Sequence, residues 1–345
     1  MAVGDRVFHA RHGLVIGTGT APVIPPLPGL AGTPYWTNRE AIEVEELPGS
    51  LLVLGGGAIG LELAQVFARF GVRVTVVEAM DRVLAIEEPE SSQVAAAALR
   101  ADGVEIRTGV RAERVDHHGD GFTIHLADGT AVTGERLLVS TGRRARLTDL
   151  GLETIGVDPA SRFLTVDDRM HLAERVWAVG DVTGEGAFTH VAMYQAAIVV
   201  ADLLDHVRRA DPGADASGTA SVVGGALGAT SAVGGAVGAA GPDGTAGGVP
   251  RADYRALPRV TFTDPEVGAV GLTEQQARDR GINVQVGLTD LSRSTRGWIH
   301  RTGSGGLIKL IVDADQGVLI GASWSARPAA RCSPAWWWRC TRRFR

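Results

Sequence analysis

The chain has 345 residues, is 45% hydrophobic and carries a formal net charge of −5, a balance typical of a globular protein of two or three domains. Neither a basic nucleic-acid-binding surface nor a basic membrane-facing surface is expected, and no apolar run reaches the roughly 18 residues of a membrane span. The two cysteines, Cys332 and Cys340, give neither a disulfide framework nor a zinc pattern, and the first residues lack the apolar core of a secretory signal. We therefore expect a cytoplasmic protein with no metal site and no nucleic-acid or membrane partner.

Residues 1–45 predict part of a domain rather than a whole one. Leu14 to Ile16 form a predicted short strand, and the glycine and threonine residues at 17–20 predict a turn. The proline-rich stretch from Val23 to Leu30 favours an extended surface segment. Because this region cannot bury a core alone, we expect it to complete another part of the chain.

The strongest pattern in the sequence runs from Leu51 to Glu78, LLVLGGGAIGLELAQVFARFGVRVTVVE. An apolar run predicts a buried strand, glycines follow with GxGxxG spacing, and the next ten residues recur with helical periodicity. Alternating valines then predict a second strand that ends at Glu78. A strand, a glycine turn, a helix and an acid about 20 residues on predict a βαβ unit that binds a dinucleotide. The alternative is a glycine-rich helix start in another kind of α/β protein.

Each residue type in this unit has a physical reason. The first glycine allows a tight turn, the second lets the backbone approach a pyrophosphate, and the third lets the helix pack close to the sheet. The helix N-terminus offers free N–H groups and a partial positive charge to phosphates. A carboxylate at Glu78 suits ribose hydroxyls and repels a 2′-phosphate, which favours NADH over NADPH, although Arg82 nearby weakens this preference. The candidate NAD-binding residues of the stretch are Gly55, Gly57, Ala58, Ile59, Gly60 and Glu78.

Further elements of the same type follow this unit. Residues 89–99 predict a helix, residues 122–126 alternate and lead into an Asp128–Gly129 hairpin turn, and residues 137–139 predict a buried strand that runs into Gly142. Glycine at the carboxyl end of a strand is where an open α/β sheet places its ligand, although an ordinary turn would also explain it.

A second signal lies between residues 163 and 207. A strand ends in Gly180-Asp181, and an apolar helix is predicted from about Val191 to Leu204. An acid in this position can bind a ligand hydroxyl. The alternative is a helix-capping or turn aspartate.

The last third of the chain divides into three parts. Residues 209–250 contain mostly small residues and predict a flexible insertion, because too few large side chains are present to offset ordering entropy. Residues 255–323 predict a small α+β domain with a hairpin around the turn at 313–317 and a helix N-capped by Thr273. From Ser323 the composition becomes basic and rich in tryptophan; this tail suggests a shifted reading frame, the alternative being a membrane-binding or nucleic-acid-binding tail.

Together these motifs resemble the flavin-dependent pyridine nucleotide-disulfide oxidoreductases, the family of dihydrolipoamide dehydrogenase, mercuric reductase and glutathione reductase. The matches follow the family's order over most of residues 10–322. They are LVIGTGTAPVIPPLPGL for the ATG segment, VLGGGAIGLELAQVFARFGVRVTVVE for the NAD motif, LLVSTGRR for the nicotinamide neighbourhood, VWAVGDVTGEGAFTHVAMYQA for the second FAD motif and PRVTFTDPEVGAVGLTEQQA for the start of the dimerisation domain.

The resemblance implies an α/β fold with Rossmann-like FAD- and NAD(P)-binding domains and a small α+β dimerisation domain. It implies FAD and NAD, in preference to NADP, as cofactors, a small-molecule or disulfide electron acceptor, and a homodimer. Thr18 and Gly19 would lie near the flavin nucleotide, Asp181 would bond the ribityl chain with Thr189 nearby, and Gly142 and Arg143 would be cofactor neighbours. The implied domains are a partial FAD-binding domain (1–45), an NAD(P)-binding domain (46–160), the second part of the FAD-binding domain (161–208), the insertion (209–250), a partial dimerisation domain (251–322) and the atypical tail (323–345).

The sequence also departs from the family pattern. The family's first GxGxxG, its CxxxxC redox pair and its C-terminal His–Glu pair do not occur, so we assign no catalytic residue. Glu62 resembles a family glutamate whose lysine partner is missing, and His190 is interpreted as structural. Three interpretations stay open: an FAD-dependent NAD(P)H oxidoreductase, a truncated inactive product that keeps only NAD binding, and a cysteine-independent flavin reductase of small acceptors.

Overall fold

The computed structural model describes residues 2–119, 121–210, 249–295 and 305–326. Two units are distinguished and are described separately: the first comprises Met1–Ala21 and Arg143–Tyr254, and the second comprises Pro22–Gly142 and Arg255–Arg345. Most of the predicted insertion (211–248) and most of the predicted tail (327–345) lie outside the described residues.

The strands are β1 Ala2–Val3, β2 Arg6–Val7, β3 Leu14–Ile16, β4 Thr20–Pro22, β5 Ser50–Leu54, β6 Arg73–Val77, β7 Glu105–Arg107, β8 Ala112–His118, β9 Gly121–Leu126, β10 Ala131–Gly134, β11 Arg136–Val139, β12 Arg143–Ala145, β13 His171–Ala173, β14 Val176–Ala178, β15 Pro258–Thr261, β16 Glu266–Gly271, β17 Val284–Asp290, β18 Leu307–Asp313 and β19 Val318–Ala326. The α-helices are α1 Asn38–Ile42, α2 Ala58–Arg69, α3 Pro89–Ala101, α4 Thr189–Ala210 and α5 Glu274–Asp279. Short 3-10 helices cover Leu152–Ile155, Gly180–Thr183 and Leu291–Arg293.

The second unit contains a four-stranded parallel sheet in the order β11-β5-β6-β7. Four of the five residues of β5 are buried, as expected of a parallel strand that is covered on both faces. Helix α2 buries Leu61, Ala64 and Phe67 against this sheet, and α3 contributes Ala95 and Leu99 to the same core. The predicted strand–helix–strand unit is confirmed.

A second core of this unit lies under a three-stranded antiparallel sheet in the order β10-β9-β8. Leu30 is fully buried in that core beside Val115 and Phe122, and the N–H of Trp36 bonds the carbonyl of Leu137. Residues 22–45 therefore pack in the same unit as the nucleotide motif, while the partial FAD-binding domain predicted for residues 1–45 stays a prediction. The reason is tertiary: the buried apolar side chains of this proline-rich segment pack on a sheet some 80 residues further along the chain.

The C-terminal part of the second unit is a five-stranded antiparallel sheet in the order β15-β16-β19-β18-β17. The predicted β18–β19 hairpin is confirmed, and so is the Thr273 N-cap, whose capping box includes Gln276. Strand β19 continues to Ala326, so it includes the first four residues of the predicted tail. Ladder pairing with β16 and β18 explains this extension, because both neighbours offer backbone partners along its length.

An ion cluster joins this sheet to α3 and α5. Lys309 on β18 is 3% exposed, and its Nζ lies 2.9 Å from carboxylate oxygens of Glu88, Glu90 and Glu274. Burial disfavours the ammonium, but the hydrogen bonds to the three carboxylates outweigh it and raise the pKa of Lys309. The buried cation therefore links β18 to the starts of α3 and α5.

The first unit is built around a three-stranded sheet in the order β13-β14-β3, with β14 parallel to β3. Its core includes Ile16, Ala145, Leu152 and Ala178. Residues 143–160 therefore pack in the first unit, while the NAD(P)-binding domain predicted for residues 46–160 stays a prediction. Helix α4 covers the sheet through Ile198 and Val199.

The α/β fold class is confirmed, and none of the described helices is long and apolar enough to cross a membrane.

Candidate functional site

The glycine turn of the second unit is shaped by the neighbouring strand end. Gly55 has a φ of +110°, and a Cβ on it would lie 2.5 Å from the carbonyl oxygen of Ser140. A Cβ on Gly60 would lie 2.3 Å from the carbonyl oxygen of Gly55 and 2.6 Å from Oγ of Ser140. Because no side chain fits at either position, α2 can start close against the sheet.

The space in front of α2 suits an anion. Gly57 is the N-cap of this helix, and a Cβ there would meet nothing within 4 Å, so the position opens to solvent. No described side chain caps the helix and its first turn contains no acid. The N–H groups of Ala58, Ile59 and Gly60 belong to that first turn, where the helix dipole is positive. These features fit a pyrophosphate.

Glu78 follows the end of β6 and is bonded to the glycine turn. Its Oε2 accepts the N–H of Gly56 at 2.5 Å, and its Oε1 accepts the N–H of Met80 at 2.7 Å. A Cβ on Gly56 would lie 3.1 Å from Glu78 Oε2, so the position between the first two motif glycines is tightly packed against this side chain. The half-buried carboxylate is therefore held in one orientation next to the phosphate loop, which suits recognition of ribose hydroxyls.

Arg82 points away from that carboxylate. Its Nη2 donates to the carbonyls of Ala85 and Glu87 at 2.7 and 3.0 Å, and its Nη1 lies 3.5 Å from Asp81. The guanidinium is thus bound within its own loop. A 2′-phosphate near Glu78 would not find this cation already oriented toward it.

Gly142 lies at the carboxyl end of β11, beside the glycine turn. Ser140 donates its N–H to the carbonyl of Leu54, which brings the two strand ends together. The carbonyl of Gly142 accepts the N–H of Val23 at 2.9 Å, and Thr141 Oγ1 donates to the carbonyl of Val23 at 2.8 Å. The structure therefore groups Gly142 with Gly55 and Gly60 in one unit.

Glu62 also belongs to α2. Burial raises its pKa, and a hydrogen bond from the N–H of Phe262 at 2.7 Å partly opposes that rise. The carboxyl therefore has a backbone partner on the antiparallel sheet of the same unit.

The first unit brings the candidate flavin residues together through side-chain hydrogen bonds. Thr20 donates from Oγ1 to Oδ2 of Asp181 at 3.3 Å. Arg143 donates from Nε to Thr20 Oγ1 at 2.7 Å and from Nη2 to the carbonyl of Thr20 at 2.8 Å. Thr20 therefore links two distant segments: it bonds the half-buried carboxylate of Asp181, 161 residues away, and it is held by Arg143, 123 residues away.

The other candidate flavin residues lie at the edge of this arrangement. The side chain of Thr18 is exposed, and Gly19 beside it has open space where a Cβ would be. Thr189 is the first residue of α4 and is exposed; no hydrogen bond joins it to Asp181 in the described part of the chain. His190 stacks on Phe188 with 5.3 Å between ring centroids, an arrangement consistent with the structural role expected of it.

Sequence reasoning missed Thr20 and Gln195. Gln195 on α4 is fully buried and bonds both ends of the short helix that carries Asp181. The sequence did contain a signal for Gln195, because this polar residue falls on the apolar face of a helix. It lies four positions after Val191 and three before Ile198. Within the described ranges, no group of three or more histidine, cysteine or acidic residues is arranged to hold a metal.

Comparisons with known proteins show which family the chain resembles. A family model described as pyridine nucleotide-disulphide oxidoreductase matches residues 8–196, and a model of that family's dimerisation domain matches residues 257–332. Mercuric reductase of Streptomyces lividans is 35% identical over 92% of this chain and 59% of its own length. RclA of Escherichia coli, described as a probable pyridine nucleotide-disulfide oxidoreductase, is 30% identical over 93% of this chain and 62% of its own.

Solved structures match in the same way. RclA of Escherichia coli, a flavoprotein disulfide reductase, aligns with a TM-score of 0.72 and 29% identity over 95% of this chain and 66% of its own. LpdA of Mycobacterium tuberculosis aligns with a TM-score of 0.72 and 25% identity over 96% of this chain and 64% of its own. The chain thus spans about half to three fifths of the length of the curated relatives that it matches.

Proposed function

Because the chain belongs to the pyridine nucleotide-disulphide oxidoreductase family, we propose that it binds NADH and FAD as part of a flavin-dependent NAD(P)H oxidoreductase. The family and its α/β fold, both expected from the motifs, are confirmed. FAD and NAD(P)H are the cofactors that this family uses. Which acceptor takes the electrons, a disulfide or a small molecule, stays part of the proposal.

One observation carries the nicotinamide half of the proposal: Glu78 is hydrogen-bonded to the glycine turn itself. The N–H groups at the start of α2 would bind the pyrophosphate, and the carboxylate would accept hydrogen bonds from the adenine ribose. Because Glu78 is oriented by Gly56 and Met80 before any ligand arrives, little ordering entropy is lost on binding. Because the guanidinium of Arg82 is hydrogen-bonded within its own loop, it is not oriented to bind a 2′-phosphate, and this favours NADH over NADPH.

The flavin half rests on the carboxylate of Asp181. Thr20, held in place by Arg143, orients it, so that its remaining acceptor positions can bind the hydroxyls of a ribityl chain. Thr18 and Thr189 lie at exposed positions of the same unit, Gly19 is half-buried, and all three would line the approach. When both cofactors are bound, they supply the chemistry of hydride transfer from reduced nicotinamide to flavin. The residues named here bind and orient; none is assigned a catalytic role.

Flavin retention tests the proposal most directly. The purified chain is incubated with FAD, freed of excess, and examined by visible absorption before and after NADH is added. Retained flavin that bleaches with NADH supports the proposed function. Absence of retained flavin would contradict it, and isothermal titration with NADH then decides whether nucleotide binding remains.

Binding of NAD without flavin is the second candidate, and one contrast favours it. The glycine turn and Glu78 lie within 24 residues of one another and are joined by a direct hydrogen bond, whereas the carboxylate of Asp181 depends on Thr20, 161 residues away. The nucleotide site therefore needs fewer long-range contacts than the flavin site. This candidate predicts measurable NADH affinity together with no retained flavin.

We also propose that the chain forms a homodimer through the antiparallel sheet of residues 258–326. Strand β18 alternates strictly, with Leu307, Lys309 and Ile311 buried and the residues between them only half-buried. Those outward side chains are apolar: Ile308, Leu310 and Val312. A half-buried apolar face of this kind suits a second copy of the chain. Sedimentation velocity of wild type and Leu310→Glu tests it; a dimer that survives this substitution would contradict the assignment of the face.

A further inference from the structure

Gln195 occupies an unusual position in the first unit. It lies on α4, is fully buried, and faces the 3-10 helix Gly180–Thr183, which carries Asp181. Its neighbours on the same helix face, Val191 and Ile198, are apolar and fully buried. A polar side chain in such a position stays only if its hydrogen-bonding groups are satisfied.

The amide of Gln195 is satisfied completely and in one orientation. Oε1 accepts the N–H of Gly180 at 2.6 Å, and Nε2 donates to Thr183 Oγ1 at 3.0 Å and to the hydroxyl of Tyr254 at 2.8 Å. Thr183 Oγ1 donates in turn to the carbonyl of Gly180 at 2.9 Å. The orientation is set by Gly180: its N–H can only donate, so it requires Oε1 opposite it, and a flipped amide would place Nε2 there and leave two donors facing each other.

A single side chain of α4 therefore holds the four-residue helix at both ends. Gln195 bonds its first residue and its last, with Asp181 between them. Tyr254 completes the set, because its O–H points to Met170 Sδ and leaves its oxygen free to accept from Gln195. Burial raises the pKa of Tyr254 to about 12, so the hydroxyl remains neutral across the working range of most proteins.

From this geometry we infer that Gln195 is a positioning residue for flavin binding: it fixes the turn that presents Asp181, with Tyr254 as its anchor. The inference rests on the proposed function. Thr20, held by Arg143, orients the carboxylate itself, and Gln195 fixes the backbone from which that carboxylate extends. Without the amide, the N–H of Gly180 would be buried with no acceptor, and the turn would have to rearrange to solvate it.

Gln195→Leu in the full-length chain is the central variant. The FAD dissociation constant should rise about tenfold or more, and exchange of the Gly180 amide hydrogen should become about tenfold faster. Gln195→Glu is the conservative rescue. As a neutral acid it keeps an acceptor and one donor, so FAD affinity should approach that of wild type at pH 5 and fall as the buried acid ionises at higher pH.

Two controls separate positioning from general destabilisation. Ile198→Val removes a buried methyl group one turn away on α4, and Gln275→Leu removes an exposed glutamine that bonds Asp279. Neither control should change FAD affinity or Gly180 exchange. Equal effects of Ile198→Val and Gln195→Leu, or unchanged Gly180 exchange in Gln195→Leu, would overturn the inference. If wild type binds no FAD, the proposed function fails, and amide exchange in the flavin-free chain still decides whether Gln195 fixes the turn.

Discussion

The two candidate sites of this protein are built in opposite ways. In the second unit the nucleotide motif is continuous from Leu51 to Glu78, and backbone geometry at glycines defines it. In the first unit the carboxylate of Asp181 is oriented by Thr20, 161 residues away in sequence, and Thr20 is held by Arg143, 123 residues from it. The candidate nucleotide site is therefore a local structure, whereas the candidate flavin site is assembled by hydrogen bonds between distant segments.

This difference determines which kinds of substitution should disturb each site. A continuous motif can form as soon as its own strand and helix pack, because the residues that shape it are neighbours in sequence. A site made of side-chain hydrogen bonds between distant segments forms only when the whole unit has folded, and each bond contributes about 1 kcal/mol. We therefore expect the NAD site to respond to steric changes and the flavin site to respond to the loss of single polar groups.

The largest expected effect concerns the buried ion cluster of Lys309. It tests whether charge, as well as glycine geometry, stabilises the second unit. Lys309→Met leaves Glu88, which is 1% exposed, as a buried charge without its cation. Unfolding free energy from urea denaturation should fall by about 3–5 kcal/mol. The control Arg39→Met breaks an exposed pair with Glu43 and should cost about 0.5 kcal/mol or less. A loss below about 1 kcal/mol for Lys309→Met would show that the cluster is not structural.

Steric sensitivity of the glycine turn comes next. Gly60→Val places a Cβ against the carbonyl of Gly55, so both stability, by about 1–3 kcal/mol, and NADH affinity should fall. Gly57→Ala is the matched variant, because its Cβ meets open space. It should weaken NADH binding while stability changes by less than about 1 kcal/mol. Unchanged NADH binding in both variants, measured by calorimetry, would argue against a phosphate site at this turn.

Selectivity between the two nicotinamide cofactors should change through one carboxylate. Glu78→Ala should weaken NADH binding about tenfold more than NADPH binding, since hydrogen bonds to a charged group and repulsion of a 2′-phosphate are both lost. Glu105→Ala, at the start of the adjacent strand β7, is the control and should leave the ratio unchanged. Equal weakening of both cofactors would remove the assigned role of Glu78.

The long-range hydrogen bonds of the first unit can be broken one at a time. Thr20→Val keeps the shape of the side chain but removes the hydroxyl between Arg143 and Asp181. FAD affinity should fall several-fold, up to about tenfold, by fluorescence titration. Thr154→Val removes an exposed hydroxyl bonded to the carbonyl of Gly151 in the same unit and should have no effect. If the two variants bind FAD equally well, the network does not orient a ligand.

The smallest effect concerns acid stability. The hydrogen bond from Lys309, followed by that from Arg278, lowers the pKa of Glu274 below its ordinary value of 4.5. This group therefore stabilises the fold at pH values above 4.5, and its contribution is lost as the pH falls through its lowered pKa. Glu274→Gln should lose less stability than wild type in urea titrations as the pH is lowered from above 4.5 through the depressed pKa of Glu274. Parallel loss in both proteins would mean that Glu274 does not contribute.

The sequence by itself determined the local structures. The GxGxxG turn, the strand that ends at Glu78, the Thr273 capping box and the β18–β19 hairpin all follow from residue type and periodicity over a few positions. Glycines, caps and turn residues act on the adjacent backbone, so no distant information was needed to place them. The family motifs could be recognised in the sequence for the same reason.

Only the tertiary structure decided which segments belong together. Residues 22–45 joined the nucleotide motif because Leu30 packs beside Val115 and Phe122, and residues 143–160 joined the flavin motifs through Ala145 and Leu152. Thr20 and Gln195 likewise acquire a role only from partners that the fold brings within hydrogen-bonding distance. Burial and hydrogen bonding between distant residues depend on the whole packed unit, which no short pattern of residues encodes.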